Sequence, residues 1–162
     1  MATEVIHSKS GTWQSIRLSV ATIALREVGE SDPLKYARLV LPTAWSDFQV
    51  QQYADTKEWC GLFNLWCLKE AGLAQDIFWR DGLGFLLVSP HALSRVIVPD
   101  TGDTAYFRRN QHHAVVCHVT DGVATLINGN GQGGKVTRTE VPIDHIDAFF
   151  SIESLLPKSE EV

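Results

Sequence analysis

Glu58-Trp59-Cys60-Gly61-Leu62-Phe63-Asn64-Leu65-Trp66-Cys67-Leu68-Lys69-Glu70-Ala71-Gly72 is the stretch from which the fold is read. Apolar residues at 62, 63, 65, 66, 68 and 71 leave little polar face. That pattern predicts a helix running through a core rather than over it. Asp55 and Glu58 stand at capping-box spacing at one end, and Gly72 is a natural stop at the other. Cys60 falls in the opening turn, where the positive end of the helix dipole and unpaired backbone N–H groups favour a thiolate. A nucleophile placed there predicts a base elsewhere in the chain.

Upstream, Trp13, Ile16, Val20, Ile23, Ala24 and Val28 follow a helical period over residues 12–28 that ends at Gly29. Glu30-Ser31-Asp32-Pro33 reads as a turn, and a short helix over 34–41 stops at Pro42. Residues 43–57 read as a loop or irregular helix leading to the cysteine. Downstream, 76–85 reads as a loop partly packed by aromatics. Ser89-Pro90 predicts a cap for a short helix over 91–96, and 99–103 has turn chemistry. The period then changes. Residues 104–107, 112–120, 123–128, 135–141 and 146–155 read as strands, the last a final or edge strand, with Gly129 to Gly134 a glycine-rich loop. Helices followed by an antiparallel sheet make an α+β fold, with the cysteine helix packed on the sheet.

At 162 residues the chain is expected to form a single domain with its core over about 12–156 and flexible ends at 1–10 and 157–162. A formal charge of −5, with no cationic run interleaved with aromatics, argues against nucleic-acid binding. No stretch approaches the ~20 apolar residues of a membrane span. Residues 1–10 lack the apolar run of a signal peptide, so the expectation is synthesis in the cytoplasm with any export by another route. Three cysteines form no disulfide framework. Cys60 and Cys67 share a helix face roughly 10 Å apart, too far to bridge.

The Asp121-Gly122 hairpin offers a geometric test. If it is a two-residue loop, Thr120 faces Val123, Val115 lies opposite Asn128, and His113 lies opposite Asn130. Alternation then puts His113, Val115 and Cys117 on one face with Asn130, Asn128 and Leu126, while His112 and His118 point the other way; a bulge near Asn128 would instead shift the register by one. An imidazole and two amides would converge beside the cysteine helix. A thiol needs such an imidazole to take its proton, and the imidazole needs a polar residue to orient it.

These residues carry a resemblance. Glu58 to Phe63, Trp66-Cys67-Leu68 and Ala71-Gly72-Leu73 resemble the cysteine helix of the CHAP and NlpC-type papain-like amidases and endopeptidases. Gly102-Asp103 is similar to their Pro-Gly-Asp turn. His113-Ala114-Val115-Val116 resembles their histidine strand, and Ile127-Asn128-Gly129-Asn130 the segment that follows. Ala21 to Tyr36, with Gly29-Glu30, resembles their N-terminal helix and turn. The resemblance implies a papain-like fold with Cys60 as nucleophile, His113 as base, and Asn128 and Asn130 as the third and fourth polar residues. Glu58, Trp59 and Gly129 border that site as expected substrate contacts. It implies a hydrolase of amide bonds in peptidoglycan stem peptides, acting without cofactor or metal in the cell wall or periplasm of a target bacterium. An antibacterial effector with a secretion carrier and an immunity protein, or a minimal endolysin, fits the short chain. Asn128 stands where that family commonly has Glu.

Two further readings remain at this point: a deamidase or transglutaminase-like toxin acting on protein glutamine, and an inactive cell-wall-binding module. A cysteine in an apolar helix is ordinarily core, which is the reading given to Cys67. Aromatic core is likewise the commoner role of Trp45, Trp59 and Trp79. Zinc at His112, His113, Cys117 and His118 is disfavoured because alternation divides them between two faces.

Overall fold

The largely apolar stretch does form a buried helix, and the remaining elements are arranged around it. The computed structural model describes residues 2–56, 58–77 and 93–157, with side chains from residue 12 onward except at Thr56. Among the described residues four helices precede the sheet: α1 (Ala2–Arg26), α2 (Leu34–Val40), α3 (Asp47–Thr56) and α4 (Cys60–Glu70). Every residue of α4 from Cys60 to Lys69 is buried. Its C-terminus closes as expected at Gly72, which takes a left-handed φ of +86°. The Leu73 N–H then donates to the Leu68 carbonyl and the Gly72 N–H to the Lys69 carbonyl, both at 2.9 Å, the paired bonds of a Schellman motif.

The N-terminus of α4 differs from expectation. Trp59 is the N-cap residue and provides no side-chain cap. Asp55 lies inside α3 and accepts from the Gln51 amide, while Glu58 accepts from Asn130. The capping box belongs instead to α3, in the segment read as loop or irregular helix. Ser46 Oγ accepts from the Gln49 N–H at 3.2 Å, and Gln49 Oε1 accepts from the Ser46 N–H at 2.8 Å. Two orphan donors are thereby satisfied reciprocally. Val50, Tyr53 and Ala54 supply the buried stripe of α3 at helical spacing.

The sheet has six antiparallel strands: β1 (Ser94–Val96), β2 (Thr104–Phe107), β3 (His112–Thr120), β4 (Val123–Asn128), β5 (Thr137–Pro142) and β6 (Ala148–Ser151). Their spatial order is β1-β6-β2-β3-β4-β5. The last strand is therefore interior, pairing with β1 on one side and β2 on the other, not an edge. Its burial explains the position: Ala148, Phe149 and Ser151 are buried, unlike the outward-facing residues of β1. Residues 94–96 form strand β1 where a helix was expected, because β6 offers them a hydrogen-bonding edge. The Ser89-Pro90 cap, 78–85 of the aromatic loop and 158–162 of the tail lie outside the described residues.

Both faces of the sheet are covered. Val115, Cys117, Ile127, Tyr106 and Phe150 pack with the helices in the larger core. Ala105, Ala114, Val116, Ala124, Leu126, Ile146 and Phe149 form a second, smaller core on the far face. The helical half is pinned to the sheet at two places. The Gly29 N–H donates to the Val136 carbonyl, and the Val136 N–H donates to the Glu30 carbonyl. At the other end, Arg17 of α1 is 8% exposed and Asp103, just before β2, is 1% exposed. Arg17 Nη1 donates to Asp103 Oδ1 at 2.7 Å. Asp103 also accepts from the backbone N–H groups of Ile152 and Asp100, so the buried carboxylate is fully engaged.

Removing the charge from Asp103 leaves Arg17 buried without its counter-ion. Asp103→Asn is expected to cost about 3–5 kcal/mol of stability. Asp100→Asn, which removes an exposed carboxylate 3.6 Å from Arg17, is expected to cost less than ~1 kcal/mol. Urea unfolding of the two variants measures the difference.

Candidate active site

Cys60 is the first residue of α4, and His113 is the second residue of β3. Because α4 crosses the helix-facing side of the sheet, the two side chains meet, with Cys60 Sγ 3.9 Å from His113 Nδ1. Both are nearly enclosed, at 6% and 8% exposure. The thiol also lies 3.9 Å from the Gln111 carbonyl oxygen, within reach as a weak donor. The Tyr106 ring meets the imidazole edge-to-face at 5.3 Å between centroids, following the Tyr106–His113 pairing across β2 and β3.

Burial sets the protonation states. It pushes the Cys60 thiol above its ordinary value, against the backbone N–H groups of His113 and Gly61, and the charge of Glu58 pushes the same way. The expectation of a helix-stabilised thiolate is thus reversed at rest, since loss of water outweighs the helix N-terminus. Burial likewise lowers His113 to about 4, helped by the charge of His112 and opposed by the Gln111 carbonyl. At neutral pH the pair is a neutral thiol facing a neutral imidazole, the form in which His113 can accept a proton.

The asparagines are placed differently from the simple hairpin reading. Thr120–Val123, Val119–Ala124 and His118–Thr125 pair as expected. A bulge between Val116 and His118 then shifts the register by one, so Val115 faces Ile127. One residue of slip moves a side chain to the opposite face. Asn128 therefore joins His112, accepting at Oδ1 from Nε2 at 2.9 Å, and does not share a face with His113. The bulge accommodates two-sided burial: Val115 and Cys117 both enter the larger core, while Val119 packs on the far face. Asn130, in a left-handed turn with φ +50°, donates its amide to Glu58, two residues before Cys60.

The three expected substrate contacts separate. Trp59 is 5% exposed and stacks on Tyr36 at 5.5 Å, within an aromatic cluster that includes Phe63 and Trp66. Gly129 is buried, and a Cβ there would lie 2.3 Å from the Phe63 Cβ. Its role is to let the end of β4 approach α4. Glu58 alone of the three is exposed.

Asn64 is a residue that sequence reading missed. It is 1% exposed, one helical turn after Cys60, and its amide donates to the Cys60 carbonyl at 3.1 Å. Its Oδ1 is buried and has no protein partner. The available signal was an amide flanked by apolar residues, at i+4 from the cysteine.

All three cysteines are free and buried. Among the described residues no helix is long and apolar enough to cross a membrane. Comparison with protein-family models, curated proteins and solved structures returns no match for this chain.

Two outcomes test this geometry. Gly129→Ala is expected to cost about 2 kcal/mol or more through overpacking against Phe63, measured by urea unfolding. The His113 value of about 4 lies below the ~6.5 of an unfolded histidine, so between them the unfolded chain binds more protons. His113 therefore contributes fully above ~pH 6.5 and loses up to ~3 kcal/mol as pH falls toward ~4. Unfolding midpoints across that range should lose this slope in His113→Gln.

Proposed function

We propose that the chain is a cysteine hydrolase of papain-like architecture that cleaves amide bonds in peptidoglycan stem peptides. The observation that carries the chemistry is the 3.9 Å approach of Cys60 Sγ to His113 Nδ1. The substrate class rests on the resemblance of the Cys60, His113 and Asn128 segments to the CHAP and NlpC-type enzymes.

In this reading His113 takes the Cys60 proton as sulfur attacks the carbonyl carbon, so neither charge forms unaccompanied in the enclosed site. The Cys60 backbone N–H, at the start of α4, supplies a donor toward the developing oxyanion. The imidazolium then protonates the leaving amine, the C–N bond breaks, and a thioester remains on Cys60. Water, deprotonated by His113, hydrolyses it to the acid and restores the thiol. Tyr106, packed against the ring, limits the orientations available to His113. Asn130 holds Glu58 beside the entrance to the helix.

Cys60→Ala and His113→Ala are each expected to reduce release of muropeptide fragments from purified sacculi by at least ~10³-fold while the circular dichroism spectrum is retained. Mass spectrometry of the wild-type digest identifies the bond. Full activity in Cys60→Ala, or ammonia release from protein glutamine with intact sacculi, would end this reading.

A further inference from the structure

The bulge in β3 has a second consequence, on the face of the sheet away from α4. A cavity of about 680 Å³ opens there, lined in part by Phe107, Arg109, His112, Asn128, His145 and Asp147. That volume lies in the range of small-molecule sites. Cys60 and His113 do not line it, so it is distinct from the candidate active site.

Its polar groups are organised from within. Asn128 is 6% exposed, and its Nδ2 donates to Thr139 Oγ1 at 2.9 Å and to the Thr137 carbonyl at 3.4 Å. Those bonds fix the amide, leaving Oδ1 to accept from His112 Nε2. His112 Nε2 therefore carries the ring proton. The Phe107 ring lies 6.0 Å from the imidazole and flanks it. Arg109 makes no ion pair among the described residues. The single lining carboxylate, Asp147, already accepts the Arg108 backbone N–H at 2.8 Å.

Arg109 and two histidines thus share the cavity with one carboxylate, Asp147, whose Oδ2 is held by the backbone. Among the described residues no three His, Cys, Asp or Glu side chains are placed to hold a metal ion. The donor set suits an oxyanion, which the guanidinium can grip through paired N–H groups. We propose that this cavity binds a small ligand through a carboxylate or phosphate group, with Arg109 and the Asn128-held His112 as its anchors. The proposal does not depend on the hydrolase reading.

The test is an NMR titration of the wild-type protein with inorganic phosphate and, separately, with succinate, at constant ionic strength and slightly acid pH. Saturable shifts of the Arg109 side chain and of the His112 and His145 rings are expected with one or both probes, and the arm that saturates names the group. Arg109→Ala should weaken that binding at least ~10-fold. His145→Gln provides a second variant if Arg109→Ala perturbs the amide spectrum broadly, and a weakening there carries the same meaning. Lys135→Ala, which removes an exposed cation from the β4–β5 loop, should leave binding unchanged. Absence of saturation, or equal weakening by Lys135→Ala, would overturn the proposal.

Discussion

The contact between α4 and the helix-facing side of the sheet is the interaction on which the rest depends. A helix buried from Cys60 to Lys69 must be enclosed by protein on every side. The sheet covers one side through Val115, Cys117 and Ile127, and α1 and α2 contribute apolar groups around the others, with α3 packed on α2. Where the packing is closest, no side chain can be afforded: Gly129 passes directly over Phe63. The same closeness brings the first residue of α4 to the second residue of β3, so the meeting of Cys60 and His113 follows from how the core is closed.

The Arg17–Asp103 pair extends that arrangement to the edge of the helical layer. It joins α1, the turn before β2 and the end of β6 through a carboxylate that accepts from Arg17, Ile152 and Asp100. Buried ion pairs contribute little net stability relative to apolar packing, but breaking one is costly. Such a pair specifies where α1 lies more than how strongly it is held. Gly102, with φ +88°, lets the same turn come against the α1 backbone at Arg17.

The enclosed thiol and imidazole have a shared electrostatic logic. Removing water raises Cys60 and lowers His113, so each is neutral and each opposes charging alone. Transfer of one proton between them creates opposite charges side by side, which the low-dielectric surroundings tolerate far better than either charge by itself. In the proposed reaction, proton transfer to His113 accompanies attack by Cys60. A stored thiolate at the helix terminus is not required.

Local chemistry made much of this molecule legible in advance. The apolar density of 62–71, the glycine stop at 72, the Asp121-Gly122 hairpin and the order of helices before strands all express short-range preferences of backbone and side chain. They suffice for an α+β fold with Cys60 at a helix start and His113 on a strand, whereas the approach of the two side chains is settled by how the core closes. The Ser46–Gln49 capping box was equally local, though it was masked by the polar composition around α3. The bulge at Cys117, the insertion of β6 between β1 and β2, and the partners of Asn128 and Asn130 were not legible. Each is settled by which faces of the sheet receive cover and which strand edges remain unpaired, and those demands exist only once distant segments have come together. Alternation along a strand can say which residues share a face only until a bulge adds one residue, and the pressure for that bulge comes from two cores packed on opposite sides of the same strand.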